Sequence, residues 1–497
     1  MEVYEKQTID TQNLNKRFGG AVHLYERSVT NLGECTLALV RHGRTRHLVA
    51  VGGGPVFDEL EGEEEDGCKI CPTNHANRLV LNRYLPYTQP VANTTRRPSI
   101  GLGDRLGEAT PGHIEALRGT SVFPIFAQQS IRELNFTNRT FDDVIDRAAY
   151  AVFQEGYTSG YGADGDHLKK IDDIAKALQQ GATMITLDSS EQIDNSVITL
   201  KAGELEAMYA GLDASLRTLY EQLYREKVFT VGDNSLKLDE KSLMRDVLTY
   251  HKALDFIQLV YERFIKGADK PIDFEISIDE TDTPTDPKSH LFLALELKRR
   301  NVVVSTLAPR FIGEFQKGID YKGDLHLFEE DLAWHVAIAK QFGYRLSVHS
   351  GSDKFSIFPI LAKVIKGSFH VKTAGTNWLE AVRLVALKDP GLYRAMHQHA
   401  LIHFADAKHF YHVTTDLDAV KPLSMVGDAQ LVQYLDDDNA RQLLHITYGY
   451  LLEDVDAQGN KLFKDAFFDL LIGEEELYHQ LLDHHISKHL VLLGFKQ

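Results

Sequence analysis

The stretch RPSIGLGDRLGEATPGHIEALRG, residues 97–119, contains one complete strand–loop–helix unit and sets the pattern for much of the chain. Its apolar start predicts a buried strand that ends near Asp104. A helix is expected to follow, with Thr110 as its N-cap, Pro111 at its first position and Gly119 closing it. Polar residues therefore gather where the strand passes into the loop.

The same unit recurs along the chain. Seven more strands with an apolar centre and a polar end are expected at 121–130, 156–166, 183–193, 271–280, 302–313, 344–353 and 368–375. The second helix is expected to run from Thr140, its N-cap, to Gly156. Eight units in order are typical of a (β/α)8 TIM-type barrel, here over about 97–390. An open doubly wound sheet is the alternative, but no strand opens a GxGxxG helix.

Three further regions accompany the predicted barrel. Residues 1–96 alternate short strands with polar turns and predict an N-terminal α/β extension, whose role the sequence does not assign. Long helical patterns at about 195–269 predict a helical insertion after the fourth strand. Residues 391–497 predict a C-terminal helical extension packed on the barrel. Its many histidines show no shared ligand spacing and are interpreted as surface and packing residues.

Composition excludes several classes of partner. The 497 residues carry a net charge of -17, which disfavours nucleic acid because phosphate binding needs a basic face. No apolar run long enough for a membrane span and no signal peptide is seen. Three cysteines are too few for a disulfide framework, so a reducing cytoplasm is expected. A small anionic substrate would need a local cluster of Arg and Lys. The sequence is compatible with a homo-oligomer.

Chemically active side chains concentrate at the expected strand ends, where barrel enzymes place their catalytic groups. On the fifth strand, Glu275, Ser277 and Asp279 share one face because side chains alternate along a strand. A buried Glu275 is costly unless paired or coordinated, so either function or a structural ion pair must explain it. The cations available for an anionic substrate are Arg105, Arg132, Arg310, Lys354 and Lys372.

Two histidines near these carboxylates suggest a divalent metal. His167 and His349 lie in small-residue segments at the ends of the third and seventh strands, and with carboxylates they fit a site with open coordination positions. Gln316 or Glu314, after the sixth strand, would add an oxygen ligand. Zinc, manganese, nickel and iron all suit such a set. A Schiff base on Lys372 is the less favoured alternative, and no GxSxG or HExxH motif is present.

Several of these stretches are long and unusual, and they carry a resemblance to a known family. They are residues 101–113, 122–133, 153–167, 274–285, 310–324, 346–356 and 369–382, with shorter matches at 411–417 and 441–449. The chain resembles the tagaturonate epimerase family of hexuronate catabolism over nearly the whole barrel and into the C-terminal helices.

The resemblance implies a reaction and a division of roles. The family interconverts D-tagaturonate and D-fructuronate with a divalent metal. Carried onto this sequence, it implies Asp166 as proton acceptor and Glu275 as proton donor. It implies His167 and His349 as metal ligands, with Gln316 chosen over Glu314 as the third. The predicted substrate contacts are Ser130, Arg132, Arg310, Lys354 and Lys372.

The chemistry of this reaction limits its mechanism. The inverted carbon, C4 of the ketose, is β to the C2 ketone, so its C–H bond is not acidified by enolisation. Retro-aldol cleavage of C3–C4, rotation of the aldehyde and re-addition is our hypothesis, because no dinucleotide motif supports a redox route. A metal-dependent aldose–ketose isomerase or C3 epimerase is the alternative enzyme. A sugar-acid-binding protein without catalysis is the alternative outside enzymes.

Overall fold

The structure is a computed structural model that describes residues 8–373 and 375–496. Within these residues eight strands close into a parallel barrel in chain order, so that the first strand lies beside the eighth. The strands are Ser99–Leu102, Phe123–Ser130, Gly162–Leu168, Met184–Asp188, Asp273–Ile278, Thr306–Pro309, Arg345–Val348 and His370–Thr373. The expected (β/α)8 barrel is confirmed.

A helix follows each barrel strand. The helices are Thr110–Leu117, Phe141–Gln154, Ile171–Gln179, Glu240–Val260, Pro287–Arg299, Leu325–Phe342, Phe358–Ile365 and Thr376–Lys388, with the short helix Ile131–Thr137 after the second strand. The fifth strand shows why the barrel forms, since Phe274, Ile276 and Ile278 are each 1% exposed and alternate with polar side chains. Each such apolar side chain stabilises the fold by about 1.5–3 kcal/mol relative to exposure.

Two predicted helix starts have different outcomes. Thr140 is confirmed as an N-cap, because its hydroxyl and the carboxylate of Asp143 each accept the other residue's backbone N–H. The prediction for Thr110 is wrong: it is the first helical residue, and no side chain of its helix caps it. Asp104 caps this helix in place of the Thr110 hydroxyl, because its carboxylate accepts hydrogen bonds from the N–H groups of Ala109 at 2.8 Å and Thr110 at 3.1 Å.

The N-terminal extension is a five-stranded antiparallel sheet with helices. Its strands are His23–Leu32, Cys35–His42, Thr45–Gly52, Glu63–Glu65 and Cys68–Pro72, with the last two exchanged in the sheet order. Its helices are Thr11–Phe18, Pro55–Glu59 and His75–Tyr84.

The insertion after the fourth strand is only partly helical. It contains the helices Ala202–Ala210 and Ala214–Tyr224, as expected, before Glu240–Val260 begins. Between Ala214–Tyr224 and Glu240–Val260 lies a hairpin of Lys227–Val231 and Asn234–Leu238, which the sequence interpretation missed. Gly232, at a φ of 56°, turns the hairpin in a conformation that favours glycine.

The C-terminal region is helical, as expected. Its main helices are Pro390–Lys408, Asp438–Ile446, Tyr448–Glu453, Lys464–Gly473 and Glu475–Leu492. In the described part of the chain, no helix combines the length and apolar character that crossing a membrane requires.

By their internal contacts the described residues form two compact units. One unit comprises residues 8–91, 102–163 and 375–488, and the other comprises 92–101, 164–373 and 489–496. The histidines and carboxylates of the candidate site all belong to the second unit.

Candidate metal and catalytic site

A β-bulge in the third barrel strand places Asp166 and His167. The pairing of this strand with the fourth shifts between Gly165 and Leu168, so one extra residue is accommodated there. His167 has a φ of 54°, which is uncommon for a residue with a side chain. Bulges re-aim side chains and strained backbone persists where the surroundings hold it, and both are frequent at functional sites.

The register of the fifth strand fixes Glu275 between two threonines. Glu275 pairs with Thr186 of the fourth strand and with Thr306 of the sixth. The Thr186 hydroxyl donates to Glu275 Oε1 at 3.2 Å and the Thr306 hydroxyl donates to Oε2 at 2.6 Å. The side chain of Glu275 is 0% exposed, so these bonds replace water around a buried carboxylate.

Lys372 of the eighth strand lies at the centre of three carboxylates. Its Nζ is 2.8 Å from Asp164 Oδ2, 2.6 Å from Asp166 Oδ1 and 3.0 Å from Glu275 Oε1. It also donates to the Thr186 hydroxyl. The lysine side chain is 4% exposed, so these ion pairs are formed away from bulk water. The three carboxylates carry more negative charge than one lysine neutralises, so the cluster favours further positive charge.

Each of the two candidate histidines contacts a carboxylate through one ring nitrogen. His167 Nδ1 lies 2.7 Å from Asp166 Oδ1, and His349 Nε2 lies 2.8 Å from Glu275 Oε1. The two rings are neighbours, with centroids 4.8 Å apart. Metal-binding histidines commonly use this arrangement, in which a carboxylate orients the ring and the other nitrogen faces the ion.

A third side chain, Asp279, lies beside the two imidazoles. One ligand atom from each of His167, His349 and Asp279 lies within 4.8 Å of the others, and we call this set the barrel trio. His349 Nδ1 lies 3.2 Å from Asp279 Oδ2. This contact is an ion pair when the imidazole is protonated. A carboxylate and two imidazoles that converge in this way fit a divalent cation with open positions.

The electrostatics of the cluster also favour positive charge. Burial lowers the pKa of His349, but Asp279 and Glu275 outweigh it and raise that pKa to about 10. Burial alone would raise the pKa values of Asp166 and Glu275, but Lys372 and the histidines hold both well below their usual range. Burial raises the pKa of Asp164 to about 6, against the opposing charge of Lys372. Asp166 and Glu275 are therefore ionised at neutral pH.

Asp279 is a candidate ligand that the sequence interpretation did not assign. The signal was present, since Asp279 lies two and four positions after Ser277 and Glu275 on the same face. Gln316, the predicted third ligand, donates through its side-chain amide to the carboxylate of Glu314. The role of Gln316 as a metal ligand stays a prediction.

The predicted substrate cations of the second unit have different surroundings. Lys354 is fully buried and donates to the carbonyls of Gln316 at 2.8 Å, Ile319 at 2.6 Å and Ser352 at 3.0 Å, which ties neighbouring loops together. Arg310 is half-buried, and its guanidinium has no hydrogen-bond or ion-pair partner among the described residues. A guanidinium in this state is available to a carboxylate.

The remaining predicted residues belong to the first unit. Ser130 is the N-cap of the short helix after the second strand and forms a capping box with Glu133. Arg132 is exposed and lies over the ring of Tyr411, with 5.3 Å between its guanidinium carbon and the ring centroid. Arg105 pairs with Glu133 and lies over the ring of Tyr448. The role of Ser130 and Arg132 in substrate binding stays a prediction.

Comparison with known proteins agrees with this description. The family model of tagaturonate epimerase matches residues 25–493. The tagaturonate/fructuronate epimerase of Thermotoga maritima is 40% identical over 481 residues, which cover 96% of this chain and 98% of that protein. The glycerol-complexed crystal structure of fructuronate-tagaturonate epimerase UxaE from Cohnella laeviribosi has a TM-score of 0.95 and 54% identity, covering 97% of this chain and 99% of its own. A native crystal structure of the same enzyme gives a TM-score of 0.95 and 53% identity, with the same coverage.

The barrel and its histidine–carboxylate cluster are those of a (β/α)8 enzyme. The chain belongs to the tagaturonate epimerase family. The resemblance inferred from the sequence is thereby confirmed.

Proposed function

We propose that the protein interconverts D-tagaturonate and D-fructuronate by inverting C4 of the ketose, with the help of a divalent cation. The observation that carries this proposal is the barrel trio, in which His167, His349 and Asp279 converge beside the ionised carboxylates of Asp166 and Glu275. Family membership supports the choice of substrate, because the relatives from Thermotoga maritima and Cohnella laeviribosi are named for these two sugar acids.

The cation would be held by two imidazoles and one carboxylate. His167 would bind it through Nε2 and His349 through Nδ1, because Asp166 and Glu275 take the other two nitrogens. Asp279 would supply the third ligand atom, and Gln316 stays the predicted further oxygen ligand. When bound, a divalent cation supplies Lewis-acid polarisation of a ketose carbonyl. Zinc, manganese, nickel and iron remain equally compatible with this donor set.

Asp166 is proposed to accept the proton of the C4 hydroxyl. Its Oδ1 is occupied by His167 at 2.7 Å and by Lys372 at 2.6 Å, which leaves Oδ2 for the substrate. Loss of that proton lets the C3–C4 bond break, its electron pair passing to C3 and giving an aldehyde at C4. Rotation of the aldehyde and re-addition of C3 to its other face then inverts C4.

Glu275 is proposed to return a proton to the new C4 alkoxide. Because its carboxylate is ionised and fully buried, the proton must first reach it from a neighbour. Lys372 Nζ lies 3.0 Å from Glu275 Oε1 and 2.6 Å from Asp166 Oδ1, so it connects the two carboxylates. Lys372 would pass its proton to Glu275 and would then take up the proton that Asp166 removed from the substrate. No proton is gained or lost over the cycle.

The substrate carboxylate is proposed to bind Arg310. This guanidinium follows the sixth barrel strand and has no partner among the described residues. A guanidinium binds both oxygens of a carboxylate, which fixes the orientation of the sugar acid as well as its position. Ser130, Arg132, Lys354 and Lys372 stay predicted contacts.

Product analysis by NMR tests the function. Metal-stripped protein and protein reloaded with zinc, manganese, nickel or iron are incubated with D-tagaturonate in D2O. We expect D-fructuronate only with metal, and no deuterium at C3. Absence of conversion with every metal would refute the proposal. Deuterium at C3 or C1 would instead indicate the C3 epimerase or the aldose–ketose isomerase, which remove a proton next to the carbonyl.

A further inference from the structure

A second group of metal-ligand side chains lies in the C-terminal helices. One ligand atom from each of His399, His403 and Asp454 lies within 4.8 Å of the others, and we call this set the C-terminal trio. All three belong to the first compact unit. We propose that the C-terminal trio binds a zinc ion in addition to the metal of the barrel trio.

Helix geometry brings the two histidines together. His399 and His403 lie four residues apart in the helix Pro390–Lys408, which places them on one face in consecutive turns. Their ring centroids are 4.5 Å apart. The interpretation of the C-terminal histidines as surface and packing residues overlooked this spacing, because it considered the many histidines together.

Both imidazoles converge on one carboxylate oxygen. Asp454 Oδ2 lies 2.7 Å from His399 Nε2 and 3.4 Å from His403 Nε2. The backbone of Asp454 is fixed on both sides, because its N–H donates to the Tyr450 carbonyl at 3.1 Å and its carbonyl accepts from Leu462 N at 3.0 Å. The carboxylate is therefore held at the base of a tight loop.

Aromatic neighbours restrict both imidazole rings. The ring of His403 stacks on Tyr450, with centroids 4.6 Å apart and an interplanar angle of 17°. The ring of His399 meets Phe463 edge to face, with centroids 5.3 Å apart. Side chains whose orientation is set by packing lose little further freedom when they bind an ion. The trio is thus oriented for binding before the ion arrives.

The donor set and its exposure suit zinc. Zinc accepts two imidazole nitrogens and a carboxylate oxygen at about 2.0–2.2 Å, so its tetrahedral ligands stand about 3.3 Å from one another. The 3.4 Å separation already has this value. The 2.7 Å contact must open by about half an ångström when the ion replaces the shared proton. The three side chains are 16%, 25% and 30% exposed, which lets an ion enter and a water molecule complete its coordination.

Nearby lysines do not oppose a cation strongly. Lys461 and Lys464 lie 2.8 Å and 2.7 Å from the carboxylate of Glu453, which neutralises part of their charge. The competing description is a hydrogen-bonded His–Asp–His cluster that binds no metal. Only the proposed zinc site predicts that zinc stays bound at these three residues.

Zinc content of variant proteins tests the proposal. The wild type, His399→Ala, Asp454→Asn, His167→Ala and the double variant of His167→Ala with His399→Ala are stripped with a chelator and equilibrated with buffered zinc. Bound zinc is then measured by mass spectrometry of the metal. We expect His399→Ala to remove one equivalent per chain in both the wild-type and the His167→Ala background. Asp454→Asn, which preserves shape, should weaken zinc binding in the same way.

Thermal unfolding supplies a second readout that does not depend on activity. Zinc should raise the melting temperature of His167→Ala, because an ion that binds only the folded state stabilises it. The same addition should leave the double variant unchanged, while circular dichroism without zinc verifies that both are folded. If His399→Ala and Asp454→Asn keep the zinc content and the zinc-induced shift of their parents, the C-terminal trio is only a hydrogen-bonded cluster.

Discussion

The barrel trio and the C-terminal trio offer the same three ligands, two imidazoles and one carboxylate, but differ in what surrounds them. In the barrel, each histidine contacts a carboxylate through its other nitrogen, at 2.7 Å for His167 and 2.8 Å for His349. In the C-terminal trio, His403 Nδ1 is buried and has no hydrogen-bond partner among the described residues. Carboxylates behind the ligating histidines raise ligand basicity and fix the rings.

We infer from this difference that the barrel trio serves catalysis and that the C-terminal trio serves stability. The barrel trio lies beside Asp166, Glu275 and Lys372, which can hold and move protons. The C-terminal trio joins one long helix to the loop at Asp454, and it is packed by aromatic rings. On this proposal, two histidines and an aspartate do not by themselves indicate catalysis, and the neighbouring carboxylates distinguish the two sites.

Removing a barrel ligand should have the largest effect. We expect His167→Ala to lose its barrel metal and to lower kcat by more than about 10⁴-fold, because a bound cation supplies several kcal/mol of transition-state stabilisation. Steady-state kinetics with excess metal and metal analysis measure both effects. His399→Ala is the matched control and should retain full activity. Equal activity loss in the two variants would remove the distinction between the trios.

The division of labour between neighbouring residues gives the second prediction. Asp166→Asn should lower kcat by about 10²–10⁴-fold at saturating metal, because the proton acceptor is gone while the ligands remain. Its metal affinity should fall by no more than about 10–100-fold, since Asp166 orients His167 without being a ligand. A metal titration followed by kinetics separates the two effects. Loss of metal as complete as that in His167→Ala would show the division to be wrong.

The buried lysine has no counterpart in the C-terminal trio. Lys372→Met should lower the free energy of unfolding by about 3–5 kcal/mol, because three buried carboxylates lose their cation. Lys464→Met, which removes a half-buried partner of Glu453, should lower it by about 0–1 kcal/mol. Urea denaturation of both metal-free variants gives the comparison. Similar small losses would mean that Lys372 does not hold the carboxylate cluster together.

The zinc affinities of the two trios should differ by a smaller factor than the activities of their variants. We expect zinc to leave the C-terminal trio at a chelator concentration roughly 10–100-fold lower than the barrel trio, because His403 lacks a supporting partner. Competition with a chromophoric chelator, performed on His399→Ala and on His167→Ala, measures each site alone. Equal affinities would show that the carboxylates behind the barrel histidines contribute nothing to binding.

The repeating pattern of the sequence was enough to predict the barrel. Eight polar-ended apolar strands alternate with helices, and the Thr140 cap was recognisable because Asp143 follows at the capping-box position. The cap at Thr110 failed because Asp104, six residues earlier, folds back onto the same N–H groups. Such a contact depends on the path of the loop, which local patterns do not describe.

Four residues of the candidate site could be selected from the sequence, but their arrangement could not. His167, His349, Asp166 and Glu275 were selected from the sequence, and the structure brings them together. The bulge that turns His167 toward His349, the three-carboxylate environment of Lys372 and the place of Asp279 beside the rings were not predicted. Each depends on the register between strands, which is set by the closed sheet rather than by one segment.

Turnover of D-tagaturonate labelled with deuterium at C4 tests the central claim most directly. We propose that the barrel trio and Asp166 invert C4 by breaking C3–C4 and leaving the C4 hydrogen in place. NMR of the product formed by metal-loaded protein should show D-fructuronate with deuterium fully retained at C4 and no primary isotope effect on the rate. Loss of deuterium to solvent, a primary isotope effect, or the absence of inverted product would contradict it.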